Sequence, residues 1–346
     1  MDLALFDYEL PEGRIAYYPA RQRDLSRLMT LNRDTGEIIQ GKFPDVVNHM
    51  NEGDALVVNN TRVLKARLFV RRETGGKVEI FLLEEVEHEG MNCWEVLTHP
   101  TRRIKEGEIL YLDSESTIEI VKKLPTGKSL IKFKNRAEAD RFIDKFGHIP
   151  LPIYIHRPDE KRDEKRYQTI FAETGKTKAV AAPTAGLHFS NRTMGRIKKK
   201  GIEVIPITLH VGYGTFKTVK VDNIDDHSVD AEYAEITQEA ADRINRVRAK
   251  GGKIFAVGTT SVRTLESAVI EDGKVQPLSD FVDLYIKPGH RFQLVDHMIT
   301  NFHLPKSSLM ILVSAFASRE KILEAYNMAV RDDYRFYSYG DCMLIL

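Results

Sequence analysis

Cysteine is almost missing from this 346-residue chain: there are two, Cys93 and Cys342, far apart and in apolar contexts. They offer neither a disulfide framework nor paired metal ligands, and they read as buried reduced thiols. No apolar run approaches the length needed to cross a bilayer. The opening stretch, "MDLALFDYELPEGRIAYYP", lacks the basic start, apolar core and small-residue cleavage site of a signal peptide. The cytoplasm is the expected address. An excess of charge of one sign is lacking too: 51 basic and 50 acidic residues leave a formal net charge of +1. The totals alone therefore point to no nucleic-acid partner. Several catalytic signatures are also absent. There is no HExxH or HxH, no Gly-x-Ser-x-Gly elbow, no Cys–His pairing, and no Gly-x-Gly-x-x-Gly after a strand. "PTGKSL" imitates the end of a P-loop, but the required first glycine falls at Lys122 and the segment lies between two strands. It reads as a hairpin turn.

What is present describes a soluble globular chain, 42% hydrophobic and 29% charged, long enough for two domains. Charge is uneven locally. "RVLKARLFVRR" carries Arg62, Lys65, Arg67, Arg71 and Arg72 with no acid, and "TRRIK" and "RIKKK" add smaller clusters. Such runs are either solvated faces or tracks for phosphates. "RPDEKRDEKRYQ" (157–168) mixes both signs and reads as an exposed segment.

Between residues 67 and 134 the text is almost all short strands, "ARLFV", "KVEIFLL", "NCWEVLT", "EILYL", "STIEIVKK" and "SLIKFK", separated by turn residues. Six strands at this spacing suggest a small antiparallel barrel or sandwich. A helical pattern, "NRAEADRFIDKFG", follows. Strands and helices then alternate: "AVAAP", the helix "NRTMGRIKKKG", "IEVIPITLHV", the helix "TQEAADRINRVRAKGG" with Thr237 as N-cap, "KIFAVG", the helix "TTSVRTLESAV", "FVDLYI", "SSLMILVSAFA", the helix "REKILEAYNMAVRDD" and the strand "CMLIL". That alternation argues α/β. The first residues, with "DALVVNNTRVL", resemble this part rather than the barrel. The expected architecture is an α/β (α+β) main domain, discontinuous over 1–66 and 149–346, with a small β-barrel domain inserted at 67–148.

Five strands end in turns rich in Asn, Thr, Ser, Gly and His: "VVNNTRV", "AAPTAGLHF", "TLHVGYGTF", "AVGTTSVRTLES" and "ITNFHLPKSS". In open α/β sheets ligands collect where such strand ends converge. Together the five suggest one site of hydrogen-bonding groups around a polar, ring-containing ligand. In "VGTTSVRTLE", Thr259 to Ser261 are expected to cap a helix and Arg263 to lie on its first turn. That is either an anion site or an ordinary cap with a surface arginine. His188, His210, His227 and His303 all fall in or beside these loops, as structural residues, as catalytic groups, or as ligands of a metal assembled from scattered loops. Gly212 and Gly214 straddle Tyr213, permitting either close approach to a ligand or a bulge.

These same segments, with the closing "YRFYSYGD" and with "DYELPEGRIAYYPARQRDLSRLM", "NNTRVLKARL", "TGGKVEIFLL" and "RYQTIFA", resemble the S-adenosylmethionine:tRNA ribosyltransferase-isomerases of bacterial queuosine biosynthesis. The likeness runs from Phe6 to Leu346. One departure is in "DDHSVDAEY", where Asp230 occupies the place of the family's second histidine. The resemblance implies transfer and isomerisation of the ribosyl group of S-adenosylmethionine onto 7-aminomethyl-7-deazaguanine in the tRNA wobble position. Adenine and methionine leave, and epoxyqueuosine-tRNA is the product. S-adenosylmethionine is then a consumed substrate, no metal or other cofactor is implied, and the expected state is a cytoplasmic monomer.

Such chemistry needs a base at the carbon beside the sulfonium, an acid for departing adenine and a neutral attacking amine. The residues expected to supply these groups are His188, His210, His227 and His303, with Glu232 orienting one of them; the division stays open. Substrate binding is expected from Asn60, Thr184, Gly186, Gly212, Tyr213, Gly214, Thr259, Thr260, Ser261, Arg263 and Asn301. Arg263 and the helix start are assigned to the methionine carboxylate. "AAPTAGLHF" is expected to set His188 against the transfer site, with apolar flanks that exclude water. For the tRNA, a base presented out of its stack and a phosphate track along Arg62, Lys65, Arg67, Arg71 and Arg72 are expected. Two competing readings are a non-catalytic RNA-binding module and a metal-dependent hydrolase.

Overall fold

The architecture was obtained as a computed structural model that describes residues 1–113, 116–216, 219–269 and 273–346. The chain opens with strands β1 (Arg27–Leu31), β2 (Ile38–Lys42) and β3 (Ala55–Asn59), then the two-residue β4 (Arg62–Val63). Next come β5 (Arg67–Arg72), β6 (Lys77–His88), β7 (Met91–His99), β8 (Ile109–Tyr111), β9 (Thr117–Lys123), β10 (Ser129–Lys132) and helix α1 (Arg136–Phe146). The remainder begins with α2 (Asp163–Arg166), β11 (Thr177–Ala179), α3 (Asn191–Lys199), β12 (Glu203–Leu209), β13 (Glu232–Ile236) and α4 (Gln238–Ala249). It ends with β14 (Ile254–Val257), α5 (Gly258–Ser267), β15 (Leu278–Val282), β16 (His297–Asn301), α6 (Ser308–Ala317), α7 (Arg319–Arg331) and β17 (Cys342–Ile345).

Nine strands form the main sheet in the order β15-β13-β12-β3-β14-β16-β17-β1-β2. Its centre, β12-β3-β14-β16, is parallel, so four strand ends open on the same edge. The apolar runs "ALVV" and "IFAV" suit that position because parallel strands are covered on both faces. Alternate residues serve the two sides. Ala55, Val57, Ile254 and Ala256 pack with Ile244 of α4 and Leu265 of α5, while Leu56, Val58, Phe255 and Val257 pack with Phe43, Phe189 and Ile197.

The six strands β5 to β10 close into an antiparallel barrel in the order β10-β7-β6-β5-β8-β9. Its inward residues, among them Leu68, Val70, Ile80, Val96, Leu110 and Ile120, share one core with Phe142 and Ile143 of α1. Closure removes the exposed edges that six short strands would otherwise present. The mixed α/β sheet and the barrel are the fold expected from the sequence, and the "PTGKSL" turn does join β9 to β10. Both cysteines are buried and free. No helix among the described residues is long and apolar enough to cross a membrane.

Three local expectations are corrected. "AVAAP" contributes only Ala179 to a strand, because β11 pairs with the two-residue β4 and the chain then turns towards Pro183, which has no N–H to donate. "FVDLYI" is strand only through Val282, at the end of β15. The segment 157–168 is not simply exposed: Asp163 and Tyr167 are fully buried. The Asp163 carboxylate accepts from Arg157 Nη1 at 2.7 Å and Nη2 at 3.0 Å, from Tyr339 Oη at 2.9 Å and from the Glu160 N–H at 2.8 Å. Four charge-assisted bonds offset the desolvation of that carboxylate and hold its pKa below the usual range despite burial.

Candidate active site

Above the parallel centre of the sheet, the strand ends line a narrow cleft open to solvent. The loop after β12 contributes Val211, the start of α5 contributes Gly258, Thr259 and Thr260, and the end of β16 contributes Thr300, Asn301 and His303. The turn after Pro183 adds Thr184 and Ala185. Facing them are Tyr154, Tyr167, Tyr337 and Ser338. Among the described residues, no lysine, arginine or carboxylate lines this cleft.

Hydrogen bonds knit the strand ends together. Asn59, at the tip of β3, donates from Nδ2 to Leu209 O at 3.0 Å and to Thr260 Oγ1 at 3.3 Å. Its Oδ1 accepts from the N–H groups of Thr61 at 3.0 Å and Leu209 at 3.2 Å. One buried amide thus ties β3 to the end of β12 and to the first turn of α5. Asn301 plays the matching role on β16. Its Oδ1 accepts from Thr184 Oγ1 at 3.0 Å, while Nδ2 faces His188 Nε2 at 3.1 Å and Tyr337 O at 3.2 Å. Tyr337 is held at φ 71°, a left-handed conformation unusual for a bulky residue.

The start of α5 differs from the expected cap. Gly258, at φ 87°, carries the chain directly from β14 into the helix, and no side chain caps it. Ser261 instead bonds back to Val257 O at 2.8 Å. The first N–H groups of a ten-residue helix therefore border the cleft, a setting that favours an anionic group.

The four histidines separate. His303 lines the cleft, with Nε2 2.9 Å from Thr300 Oγ1, and burial lowers its pKa to about 3. His188 lies behind Asn301: both ring nitrogens are occupied, Nε2 by the Asn301 amide and Nδ1 by Ser26 Oγ at 2.8 Å. Burial first, then the charges of Arg335 and Arg23, lower its pKa to about 3. Accepting from Asn301 at Nε2 makes Nδ1 the protonated nitrogen, donating to Ser26. His210, the first residue past β12, does not line the cleft: its Nδ1 lies 2.8 Å from Thr61 Oγ1 and its ring is stacked on Tyr233. Burial, then Lys178 and Lys176, lower its pKa to about 4. His227 sits edge-on to Tyr285, and burial lowers its pKa against the opposing pull of Asp230.

Glu232 and Arg263 form a second, adjacent cluster. Arg263 Nη1 meets Glu232 Oε2 at 2.5 Å, and its other nitrogens donate to Leu284 O at 3.2 Å and Val282 O at 3.3 Å. Glu232 Oε1 accepts from the Gly212 N–H at 2.7 Å. The Arg263 guanidinium is thus turned towards a buried carboxylate rather than towards the cleft. A side chain on Gly214 would collide with Asp230, its Cβ falling 2.3 Å from Oδ2. Tyr213 packs edge-on against Phe81 of the barrel. Gly186 packs against Thr169, and Asn60 accepts from Thr208 Oγ1 at 2.7 Å below the cleft.

In the basic run, Arg72 is bound by Glu108 through Nε at 2.5 Å and Nη2 at 3.2 Å, and Arg67 pairs with Glu79 at 3.0 Å. Lys65 donates to Asp144 O at 2.9 Å. Arg62 lies half-buried in β4, and Arg71 is exposed. Among the described residues, no group of three or more His, Cys, Asp or Glu is placed to hold a metal ion.

Sequence reasoning did not single out Asn59, Tyr154, Tyr167, Tyr337 or Ser338. The last two lie in "YRFYSYGD" and Tyr167 in "RYQTIFA", motifs that carried the resemblance without showing which side chains face a ligand. Comparison with known proteins is consistent along the whole length. The family model described as queuosine biosynthesis protein matches residues 3–345. The protein of Desulfitobacterium hafniense named S-adenosylmethionine:tRNA ribosyltransferase-isomerase is 46% identical over 349 residues, covering 100% of both chains. A namesake from Staphylococcus saprophyticus is 45% identical over 348 residues with the same coverage. The crystal structure of S-adenosylmethionine tRNA ribosyltransferase from Thermotoga maritima is 34% identical, spans 99% of this chain and 100% of that one, and superposes with a TM-score of 0.55. With a full-length family match and relatives near half identity, this chain belongs to the queuosine biosynthesis family of S-adenosylmethionine:tRNA ribosyltransferase-isomerases.

Proposed function

We propose that the chain moves the ribosyl group of S-adenosylmethionine onto 7-aminomethyl-7-deazaguanine in the wobble position of a tRNA and isomerises it, giving epoxyqueuosine-tRNA, adenine and methionine. The observation that carries the reading is the charge-free, tyrosine-walled cleft at the ends of four parallel strands, in a chain of this family. A sulfonium donor is a cation with an aromatic base and a carboxylate. Tyrosine faces suit the cation and the adenine, and a lining without lysine or arginine spares the sulfonium repulsion. The uncapped start of α5 suits the methionine carboxylate, which moves that role from Arg263 to the backbone at Gly258, Thr259 and Thr260.

Within this reading the histidines have different tasks. His303 is the ring placed to exchange a proton with the donor, and burial keeps it neutral at pH 7, able to accept. His188 acts through Asn301, fixing which way that amide faces the cleft. Glu232 and Arg263 brace the Gly212–Tyr213 loop that links the main sheet to the barrel. S-adenosylmethionine is consumed as a substrate, no metal is required, and the protein acts as a cytoplasmic monomer.

The test is nucleoside mass spectrometry of tRNA carrying the 7-deazaguanine precursor, incubated with the protein and S-adenosylmethionine while adenine release is followed. Equimolar epoxyqueuosine and adenine are the expected result. Intact precursor with no adenine, from folded protein, would refute the assignment.

A further inference from the structure

Beside the cleft lies a second, smaller recess, and Ser338 lines both. His188 and Ser26 line the recess, while Asn301, which His188 contacts, lines the cleft. Two arginines line it, Arg23 and Arg166. Arg23 donates to three carbonyls: Leu187 O at 3.2 Å, Lys165 O at 2.7 Å and Gln168 O at 2.6 Å. Arg166 donates to Arg21 O at 3.2 Å and Ala20 O at 2.6 Å. Carbonyls satisfy hydrogen bonds but do not neutralise charge. Asp163, the acid that acts on Arg166, is already held by Arg157. The two cations are half-buried, and burial together with the Arg166 charge lowers the Arg23 pKa to about 10. A guanidinium has five N–H donors, so both keep donors beyond those carbonyls.

We propose that this recess is a phosphate subsite, in which Arg23 and Arg166 grip a backbone phosphate of the polynucleotide substrate. A phosphate brings the charge that the carbonyls lack, and its oxygens match two guanidinium forks. The recess shares a wall with the cleft, and a base drawn out of its stack brings its own phosphates with it. Exposed Arg21 and Lys165 extend the positive field around the mouth. The proposal rests on reading the chain as a tRNA-modifying enzyme.

Three variants and one labelling experiment test it. For R166Q, the slope of log affinity for tRNA against log salt should fall by about 0.7 to 0.9, and low-salt affinity by about tenfold. R166K, which keeps the charge but not the fork, should retain the slope with a smaller loss of affinity. R196Q removes one charge from α3, where Arg196 also donates to a carbonyl, Pro44 O, and should leave the slope unaltered. In the unmutated protein, tRNA should protect Arg23 and Arg166 from phenylglyoxal, read by peptide mass, and S-adenosylmethionine should not.

A wild-type slope in folded R166Q, an equal fall in R196Q, or unprotected arginines would overturn the proposal. Weakened S-adenosylmethionine binding with intact tRNA binding would assign the recess to a carboxylate instead. Saturable binding of inorganic phosphate, lost in R166Q while the tRNA slope stays put, would assign it to a free anion. Failure of the enzymatic reading looks different: no adenine release from the wild type, whatever the salt slope.

Discussion

Two sets of arginines, one on the barrel and one around the recess at the crown of the main sheet (the loops at its cleft edge), are treated in opposite ways. On the barrel, Arg67 and Arg72 are matched to carboxylates on neighbouring strands. At the crown, Arg23, Arg166 and Arg335 donate to backbone carbonyls of nearby loops. Matched pairs leave little field beyond their own contact, whereas carbonyl-bound guanidiniums keep their charge. On a protein of net charge +1, the field that a polyanion meets is therefore set by which cations have acids, and the basic run most visible in the sequence is largely quenched.

Buried ion pairs give the largest expected effect. Arg263 and Glu232 are 12% and 5% exposed, so R263A takes the guanidinium away from a buried carboxylate and should cost about 3 to 5 kcal/mol of stability. R72A, which opens the more exposed Arg72–Glu108 pair on the barrel, should cost far less. Denaturant unfolding of the two variants compares them directly, and equal losses would show that burial does not set what such a pair is worth.

Asn301 comes next. N301A removes the amide that joins Thr184, His188 and Tyr337 across the cleft, and kcat/KM for adenine release should fall about 100-fold. The fold should persist, since the strand ladder of β16 does not use that side chain. A barrel substitution such as E108Q should leave kcat unchanged. An N301A enzyme with wild-type kcat/KM would remove the cleft from the mechanism.

The pH dependence of stability follows from His188 and His303. Both are folded as neutral rings with pKa values near 3, against an ordinary value of about 6.5. The unfolded chain takes up the proton first, so their stabilising effect is complete above pH 6.5 and is lost as pH falls towards 3. Between pH 7 and pH 5 each should cost about 2 kcal/mol. In H303Q, the loss on acidification over that range should shrink by roughly that amount, measured by urea unfolding at the two pH values. An unchanged difference would mean that His303 is not held neutral by burial.

The barrel was more legible in the sequence than the crown, for a physical reason. Each barrel strand is bounded by its own turn and filled by alternating apolar residues, so local pattern and final structure agree. Crown residues act across long separations. The pairing of Arg263 with Glu232 spans 31 residues, and no spacing announces that the guanidinium turns back from the helix start. The five strand-end loops were readable as a set, and four of them do follow neighbouring parallel strands. Which side chains enter the cleft was not. His210 and Val211 are adjacent in the loop just past β12, yet one meets Thr61 and the other lines the cleft. Tyr154 and Tyr167 flank a stretch whose charges suggested solvent, because the internal pairing of Arg157 with Asp163 is invisible in composition.

The smallest effect expected bears most directly on the quenched basic run. Within that run Arg71 is the exposed cation, and it donates to Gly75 O at 3.3 Å in its own hairpin. If the barrel touches tRNA through this strand, R71A should lower the salt slope of binding by no more than about 0.9, the share of one phosphate. R72A should leave the slope unaltered, since Glu108 already neutralises that guanidinium. A fall for R72A as large as for R71A would show that RNA pulls Arg72 away from Glu108, and the opposition between barrel and crown would then hold only for the free protein. No fall for either would confine the electrostatic contact to the crown, leaving the barrel to brace the cleft through Phe81 and Tyr213.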